Sequence, residues 1–221
     1  LDEVGFKADF ILGDVGWEFW KHEGNALPER TVKLLKETDC ALFGAITSKP
    51  KDEAAKELDD DLKERGFVYF SPIVAMRQMF QLHTNMRPCK AFKGNPLNIK
   101  EGVDIVVFRE NTEGLYSGVE WWPVPEDVRS AFRKNHPKWD PFDSMDSRDV
   151  AVSLRVISKR GATRILRSAF EYASKMGRKR LTLAEKPNVL RETSGMMTQV
   201  AREMSSDYSG VSMDEANIDA M

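Results

Sequence analysis

"VDIVVFRENTEGLYSG", residues 103–118, joins an apolar run to a turn that packs an arginine, two acids, an asparagine and a tyrosine within a few positions. The run from Val103 to Phe108 is rich in branched side chains and reads as a buried strand, so the polar groups after it are delivered together at a strand's end. Such a place is a site more often than a core.

Working outward, similar short runs start at Ala8 ("ADFILGD"), Cys40 ("CALFGAI"), Val150 ("VAVSLRVI") and Arg180 ("RLTLAE"), each separated from the next by helix-like sequence. The alternation predicts an α/β protein with mixed or largely parallel sheets flanked by helices. A helix is expected over Lys159–Met176, where Ala162, Ile165, Leu166, Ala169, Phe170 and Ala173 share one face and Gly177 supplies the stop. Another runs from Arg191 to Met204 with Met197, Val200, Ala201 and Met204 as its core stripe, and a third starts near Pro28 in "LPERTVKLL" and feeds the run at Cys40. Lys51–Arg65 reads as a solvated helix or loop, and Leu1 as the tail of a helix. Residues 121–148 carry prolines and aromatics with little periodicity, which suits an excursion or arm packing on a partner, although Trp121 and Trp122 could equally be buried within the chain. A boundary is expected near His83–Lys90, giving units 1–84 and 85–221.

The 221 residues, 41% hydrophobic, suffice for one large domain or two small ones. Lys plus Arg (33) nearly balance Asp plus Glu (35), so nothing in the overall charge recruits nucleic acid or an anionic membrane, and an anion site has to be local. Cys40 and Cys89 are too few for a disulfide framework and lack metal-ligand spacing, which favours a reducing cytoplasm. No apolar stretch reaches the ~18 residues of a membrane span, and a signal-peptide layout is absent. Both ends read as cut through secondary structure, which predicts a fragment of a longer protein.

"MRQMFQLHTNMRP" supplies Arg77 and Arg87, and Arg109 closes the next strand. Three guanidinium forks converging would hold a di- or tricarboxylic acid; the alternative is three surface ion pairs. Tyr116 could deliver a proton to a bound acid, or be a half-buried tyrosine with a satisfied hydroxyl. "LAEKPNVLRETSG" repeats the layout of a strand ending in polar groups, with Lys186 as a possible proton carrier. Asp219 lies among Ile218, Ala220 and Met221, so it needs a cation or a metal ion, unless it caps a helix. There is no Gly-x-Gly-x-x-Gly and no P-loop.

"EGNALPERT", "FGAITSKP", "MRQMFQLHTNMRPCK", "RENTEGLYSG", "EKPNVLRETSG" and "NIDAM", in this order, resemble the isocitrate and isopropylmalate dehydrogenases, metal-dependent β-decarboxylating enzymes. The resemblance implies an isopropylmalate dehydrogenase-like two-domain fold, incomplete here, with a dimer arm. It implies a 2-hydroxy acid substrate, hydride transfer to NAD or NADP, and Mg²⁺ or Mn²⁺. By motif, Arg77, Arg87 and Arg109 would hold carboxylates, Tyr116 would protonate the enolate left by decarboxylation, Lys186 would handle the hydroxyl proton and Asp219 would be one metal ligand. Thr47 and Asn188 match positions near the nicotinamide. The lysine and the aspartate act across a dimer interface in this family, so a homodimer with shared sites is implied. The pattern's "GDGIG"-like turn, two further metal aspartates and adenosine loop are not among these residues, which predicts that this chain alone has no dehydrogenase activity. In "SPIVAMR", Ser71 fits an isocitrate enzyme while Ile73 and Val74 fit an isopropylmalate enzyme; "RENTEGLYSG" tips the reading toward isocitrate. An inactive partner subunit is the rival from another class, and a non-catalytic carboxylate-binding module ranks last.

Overall fold

The computed structural model describes Glu3, Gly5 and residues 7–221, and the chain forms two compact units, Leu1–Phe80 and Gln81–Met221. The helix tail expected at Leu1 lies outside the described residues.

The first unit is helical among its described residues: α1 (Trp17–Glu23), α2 (Glu29–Glu37), α3 (Lys51–Lys56), α4 (Asp60–Lys63) and α5 (Pro72–Met79). Its core joins Trp20, Ala26, Ala54, Leu58, Leu62 and Tyr69. Trp20 is 1% exposed, donates Nε1–H to the Ala54 carbonyl at 2.8 Å and meets Tyr69 edge-on at 5.3 Å, so its ring is buried with its polar atom satisfied. The charged stretch Lys51–Arg65 is therefore more than a solvated face. Ala54 from α3, Leu58 from the link that follows and Leu62 from α4 turn one apolar stripe inward. Pro28 sits one position earlier than a first-turn proline, as the N-cap of α2.

Two expected strands do not form. Residues 8–14 and 40–46 have no ladder partner among the described residues, and Phe10, Leu12 and Leu42 are 70%, 96% and 93% exposed. Branched side chains favour extended backbone, but a strand exists only where another strand takes up its amides.

The second unit is organised by α8 (Lys159–Lys175) and α9 (Arg191–Ser205). Ser158 caps α8, its Oγ accepting from the Gly161 amide at 2.9 Å. At the other end Gly177, at φ +65°, donates to Ser174 O while Arg178 donates to Ala173 O, the paired bonds that close a helix through a left-handed glycine. Ala162, Ile165, Leu166, Phe170 and Ala173 from α8 meet Met197, Val200 and Ala201 from α9 in one cluster, with Phe170 stacked on Tyr208 at 5.0 Å. Fully burying one such aromatic contributes about 1.5–3 kcal/mol.

Among the described residues the second unit also holds three two-stranded sheets. β1 (Thr84–Lys90) runs antiparallel to β2 (Asp104–Glu110), β3 (Glu120–Trp121) antiparallel to β4 (Val152–Ser153), and β5 (Arg180–Glu185) parallel to β6 (Ser212–Asn217) across α9. The run from Val150 thus contributes two paired residues and one bridge, Val156 to Gly114, instead of a long strand. β1 and β6 were hidden in polar sequence. Pro88 stands in β1 opposite Val106, and a two-stranded ladder leaves every strand an outer edge on which proline's missing donor can be tolerated.

The excursion after Trp121 is itself folded, with α6 (Glu126–Asn135) and α7 (Asp140–Asp143). Arg129, 5% exposed, pins it by donating to the carbonyls of Phe142, Asp143 and Met145. Trp121 is half-buried and Trp122 is 73% exposed.

In the first unit His22 of α1 lies between two carboxylates, Nδ1 at 2.8 Å from Asp59 and Nε2 at 2.9 Å from Glu18, and these bonds raise its pKa above 6.5. A raised folded pKa makes the contribution full below 6.5 and loses it as pH climbs through the higher folded value. The expected outcome is a first unit whose denaturant midpoint falls on the alkaline side of that value, and a His22→Gln variant in which this fall is absent. An unchanged slope in the variant refutes the link.

Candidate functional site

The register of β1 and β2 sorts their side chains. Thr84, Phe108 and Glu110 share the face that packs on α8: Thr84 Oγ1 donates to Ser168 at 3.2 Å, Phe108 meets Tyr172 at 5.3 Å, and Glu110 pairs with Arg164 at 3.2 Å. The alternate set, Asn85, Arg87, Val107 and Arg109, occupies the opposite face, with Asn85 directly across from Arg109 and Arg87 across from Val107. Arg87 and Arg109 are therefore diagonal neighbours on the face turned away from the helix. Arg87 is exposed, and its Nε donates to Asn85 Oδ1 at 2.9 Å.

Arg109 is held on two sides. Nη1 donates to the Tyr116 hydroxyl at 3.0 Å, with the guanidinium 5.1 Å from that ring's centre, and Nη2 donates to Asn111 Oδ1 at 3.0 Å. Its Nε is buried without a hydrogen-bond partner. Asn111, 6% exposed, is fixed in turn by its own amide to His83 O at 2.9 Å and by Nδ2 to Leu82 O at 3.3 Å. The 43% exposed Tyr116 thus has its hydroxyl beside a cation, an arrangement suited to handing a proton to an anion bound on the same face.

Behind this pair, carboxylates hold the turn. Glu110 Oε1 accepts from the Thr112 amide at 2.7 Å, its hydroxyl at 2.6 Å and Arg164. Burial pushes the Glu110 carboxyl up, but the Thr112 and Arg164 donors outweigh it and hold it below the usual carboxylate range. Glu113 takes the Ser158 amide at 2.8 Å and the Ser158 hydroxyl at 2.7 Å, which ties the turn to the start of α8. Gly161 makes room for it: a Cβ there would lie 2.0 Å from Glu113 Oε2.

The parallel pair brings together a second group of predicted residues. Lys186 follows β5 and Asp219 follows β6, and the Lys186 ammonium sits 2.9 and 2.7 Å from the two Asp219 oxygens. Asn217, which ends β6, accepts from the Asp219 amide at 3.1 Å and so is itself the cap of the last turn, while its Nδ2 reaches Asn188 Oδ1 at 3.4 Å. The carboxyl ends of parallel strands are where open α/β sheets bind ligands. Asp219, about half exposed, offers hard oxygens of the kind Mg²⁺ and Mn²⁺ favour, one carboxylate toward such an ion.

Glu185, beside Lys186, anchors the strand end. Its carboxylate takes Arg155 Nη2 at 3.3 Å and the hydroxyl of the fully buried Ser194 at 2.8 Å, while Arg155 Nη1 donates to Thr193 at 2.7 Å. No spacing rule announces this cluster. Its one sequence signal is an acid closing an apolar strand, which requires partners. Thr47, Ser71 and Arg77 belong to the first unit: Thr47 is exposed with its carbonyl 3.3 Å from the Tyr69 hydroxyl, Ser71 precedes α5, and Arg77 lies in the last turn of α5.

A parallel βαβ unit with a lysine–aspartate pair at its carboxyl end and an antiparallel hairpin with an arginine face define an α/β protein. The sequence matches the isocitrate/isopropylmalate dehydrogenase family model over residues 2–221, and the chain belongs to that family. It is 39% identical over 212 residues to Protein DlpA of Legionella pneumophila, covering 95% of this chain and 33% of that protein. It is 37% identical over 217 residues to homoisocitrate dehydrogenase of Methanocaldococcus jannaschii, covering 94% and 52%. The crystal structure of isocitrate dehydrogenase from Methylococcus capsulatus superimposes with a TM-score of 0.75 at 27% identity, covering 99% of this chain and 54% of that one. The chain thus has the α/β fold of isocitrate dehydrogenases and spans a third to about half the length of these relatives.

Two outcomes test the turn. Gly161→Ala should destabilise the second unit by about 1–3 kcal/mol through the displaced Glu113, less the ~1 kcal/mol that alanine adds in a helix. In a Glu113→Ala background the same change should be neutral or stabilising, and denaturant titration of the four proteins reads the coupling. Because the folded pKa of Glu110 is depressed, its contribution is full above 4.5 and lost as pH falls through the lower folded value. Glu110→Gln should flatten that acid limb; an identical limb refutes the assignment.

Proposed function

We propose that the protein to which this chain belongs oxidises and decarboxylates a 2-hydroxy di- or tricarboxylic acid, isocitrate-like in preference to isopropylmalate, with NAD or NADP as hydride acceptor and Mg²⁺ or Mn²⁺ as the metal. The observation that carries the proposal is Arg109, set diagonally from Arg87 on one sheet face and bonded to the Tyr116 hydroxyl at 3.0 Å.

The chemistry follows from these side chains. Arg87 and Arg109 hold carboxylates through paired N–H donors, with Arg77 as the third guanidinium of the set and Ser71 as a hydroxyl donor. Asn111 keeps Arg109 aimed by occupying its Nη2. Tyr116 returns a proton to the carbon that loses carbon dioxide, and Arg109 holds its hydroxyl in place. Lys186 accepts the proton of the substrate hydroxyl, with Asp219 holding its side chain at the strand end. Asp219 contributes one carboxylate to the metal, which when bound draws negative charge from the reacting oxygen. Thr47 and Asn188 present polar groups for the nicotinamide.

Lys186 and Asp219 pair with each other, whereas Arg109 pairs with Tyr116. This division supports a homodimer in which the lysine–aspartate pair of one subunit completes the arginine–tyrosine site of the other. The excursion carrying α6 and α7 supplies the arm. On this reading the 221-residue chain alone is inactive.

The test is metal-dependent NADH or NADPH formation by the full-length protein over isocitrate, isopropylmalate, homoisocitrate, malate and tartrate, ranked by kcat/KM. Isocitrate should lead; a lead for isopropylmalate overturns that preference, and no turnover of any of the five favours an inactive partner subunit. Arg109→Gln and Lys186→Met should each lower kcat at least ~100-fold. Mixed after dissociation, the two variants should recover activity in the hybrid dimer, and failure to recover refutes the shared site.

A further inference from the structure

One face of α8 carries more positive charge than the fold uses. Lys159, Arg160, Arg164 and Arg167 line a groove of about 540 Å³ together with His83. Arg160, Arg164 and Arg167 fall at i, i+4 and i+7, a spacing that stacks like charges along a helix and disfavours it.

The compensation is uneven. Arg164 is matched by Glu110 at 3.2 Å and Glu113 at 3.8 Å, and its Nε is buried without a hydrogen bond. Lys159 has a distant partner in Glu203 at 3.8 Å. Arg160 reaches only the neutral Gln81 Oε1, at 3.1 Å, and the Arg167 side chain has neither ion pair nor hydrogen bond among the described residues. Two guanidinium groups therefore stand uncompensated on either side of a third in a chain whose formal net charge is −2. The excess lies along this groove. It is also separate from the first turn's amides, where Glu113 already occupies the Ser158 donors.

Along the axis Arg160 and Arg167 are about 10 Å apart, from a rise of 1.5 Å per residue. A single phosphate is too short to serve both, whereas a chain of phosphoryl groups presents successive anionic oxygens to successive forks. The lining holds no aliphatic or aromatic side chain apart from the His83 ring, so it offers little to a nucleobase. We propose that the α8 groove binds a linear polyphosphate, either inorganic or as the tail of a nucleotide, recognised through its phosphate chain by Arg160, Arg164 and Arg167.

Calorimetric titration of the full-length protein with inorganic tripolyphosphate tests this, with orthophosphate and ATP compared at matched ionic strength. Saturable tripolyphosphate binding is expected, at least tenfold tighter than orthophosphate and weakened by added salt. ATP should bind within about threefold of tripolyphosphate, because the base adds no contact of weight. Arg160→Gln/Arg167→Gln should lower the affinity at least tenfold while the circular dichroism spectrum and melting temperature hold, since neither side chain has a charged partner to lose. Arg87→Gln should leave the affinity unchanged, which separates the groove from the hairpin's arginines. The proposal fails if tripolyphosphate gives no saturable heat, if the double variant binds like the parent, if Arg87→Gln abolishes binding, or if ATP binds far more tightly than tripolyphosphate.

Discussion

Glu113 joins the turn after β2 to the first residues of α8, and the presentation of Arg109 and Tyr116 depends on that junction. The helix is the longest of the second unit, with five side chains in its core cluster. Three donors fasten the turn to it: the amide and hydroxyl of Ser158 on Glu113, and Arg164 on Glu110. A guanidinium bound to a phenol in a free loop would sample many orientations. Here both ends of the turn are tethered, so the arginine is held in one orientation, and a group fixed in advance loses less conformational entropy in any contact it makes.

The parallel pair follows the same logic with different chemistry. Glu185 is gripped by Arg155 and Ser194, so the backbone that carries Lys186 cannot drift from α9. Lys186 itself is only half-buried and spends its charge on Asp219. The anchoring acid lies inside and the lysine lies further out, one residue apart. Opposite charges fix the strand end, and they leave Lys186 and Asp219 nearer the surface.

Much of this was legible because helices and site motifs are local. The stripe from Ala162 to Ala173 and the stop at Gly177 predict α8 closely, and "RENTEGLY" and "EKPN" mark polar strand ends. Sheet pairing was not legible. The runs at Ala8 and Cys40 have better strand composition than "TNMRPCK" or "SMDEAN", yet the latter two form strands, because β2 and β5 offer them amides and carbonyls in register. The stripe Ala54, Leu58 and Leu62 was masked by the acids and lysines around it, and the buried guanidinium of Arg129 looked like any surface arginine. Partner identity decides these cases, and it is not written in either partner alone.

Gly161 links two positions far apart in sequence. Its missing side chain is the socket for the Glu113 carboxylate, with both oxygens and the carboxyl carbon within 2.6 Å of where a methyl would stand. Substitution at one position therefore changes what is tolerable at the other. A homologue with alanine at 161 should carry a shorter or uncharged residue at 113, and a long acid at 113 should appear only with glycine at 161. Across the family the two sites should vary as a single character.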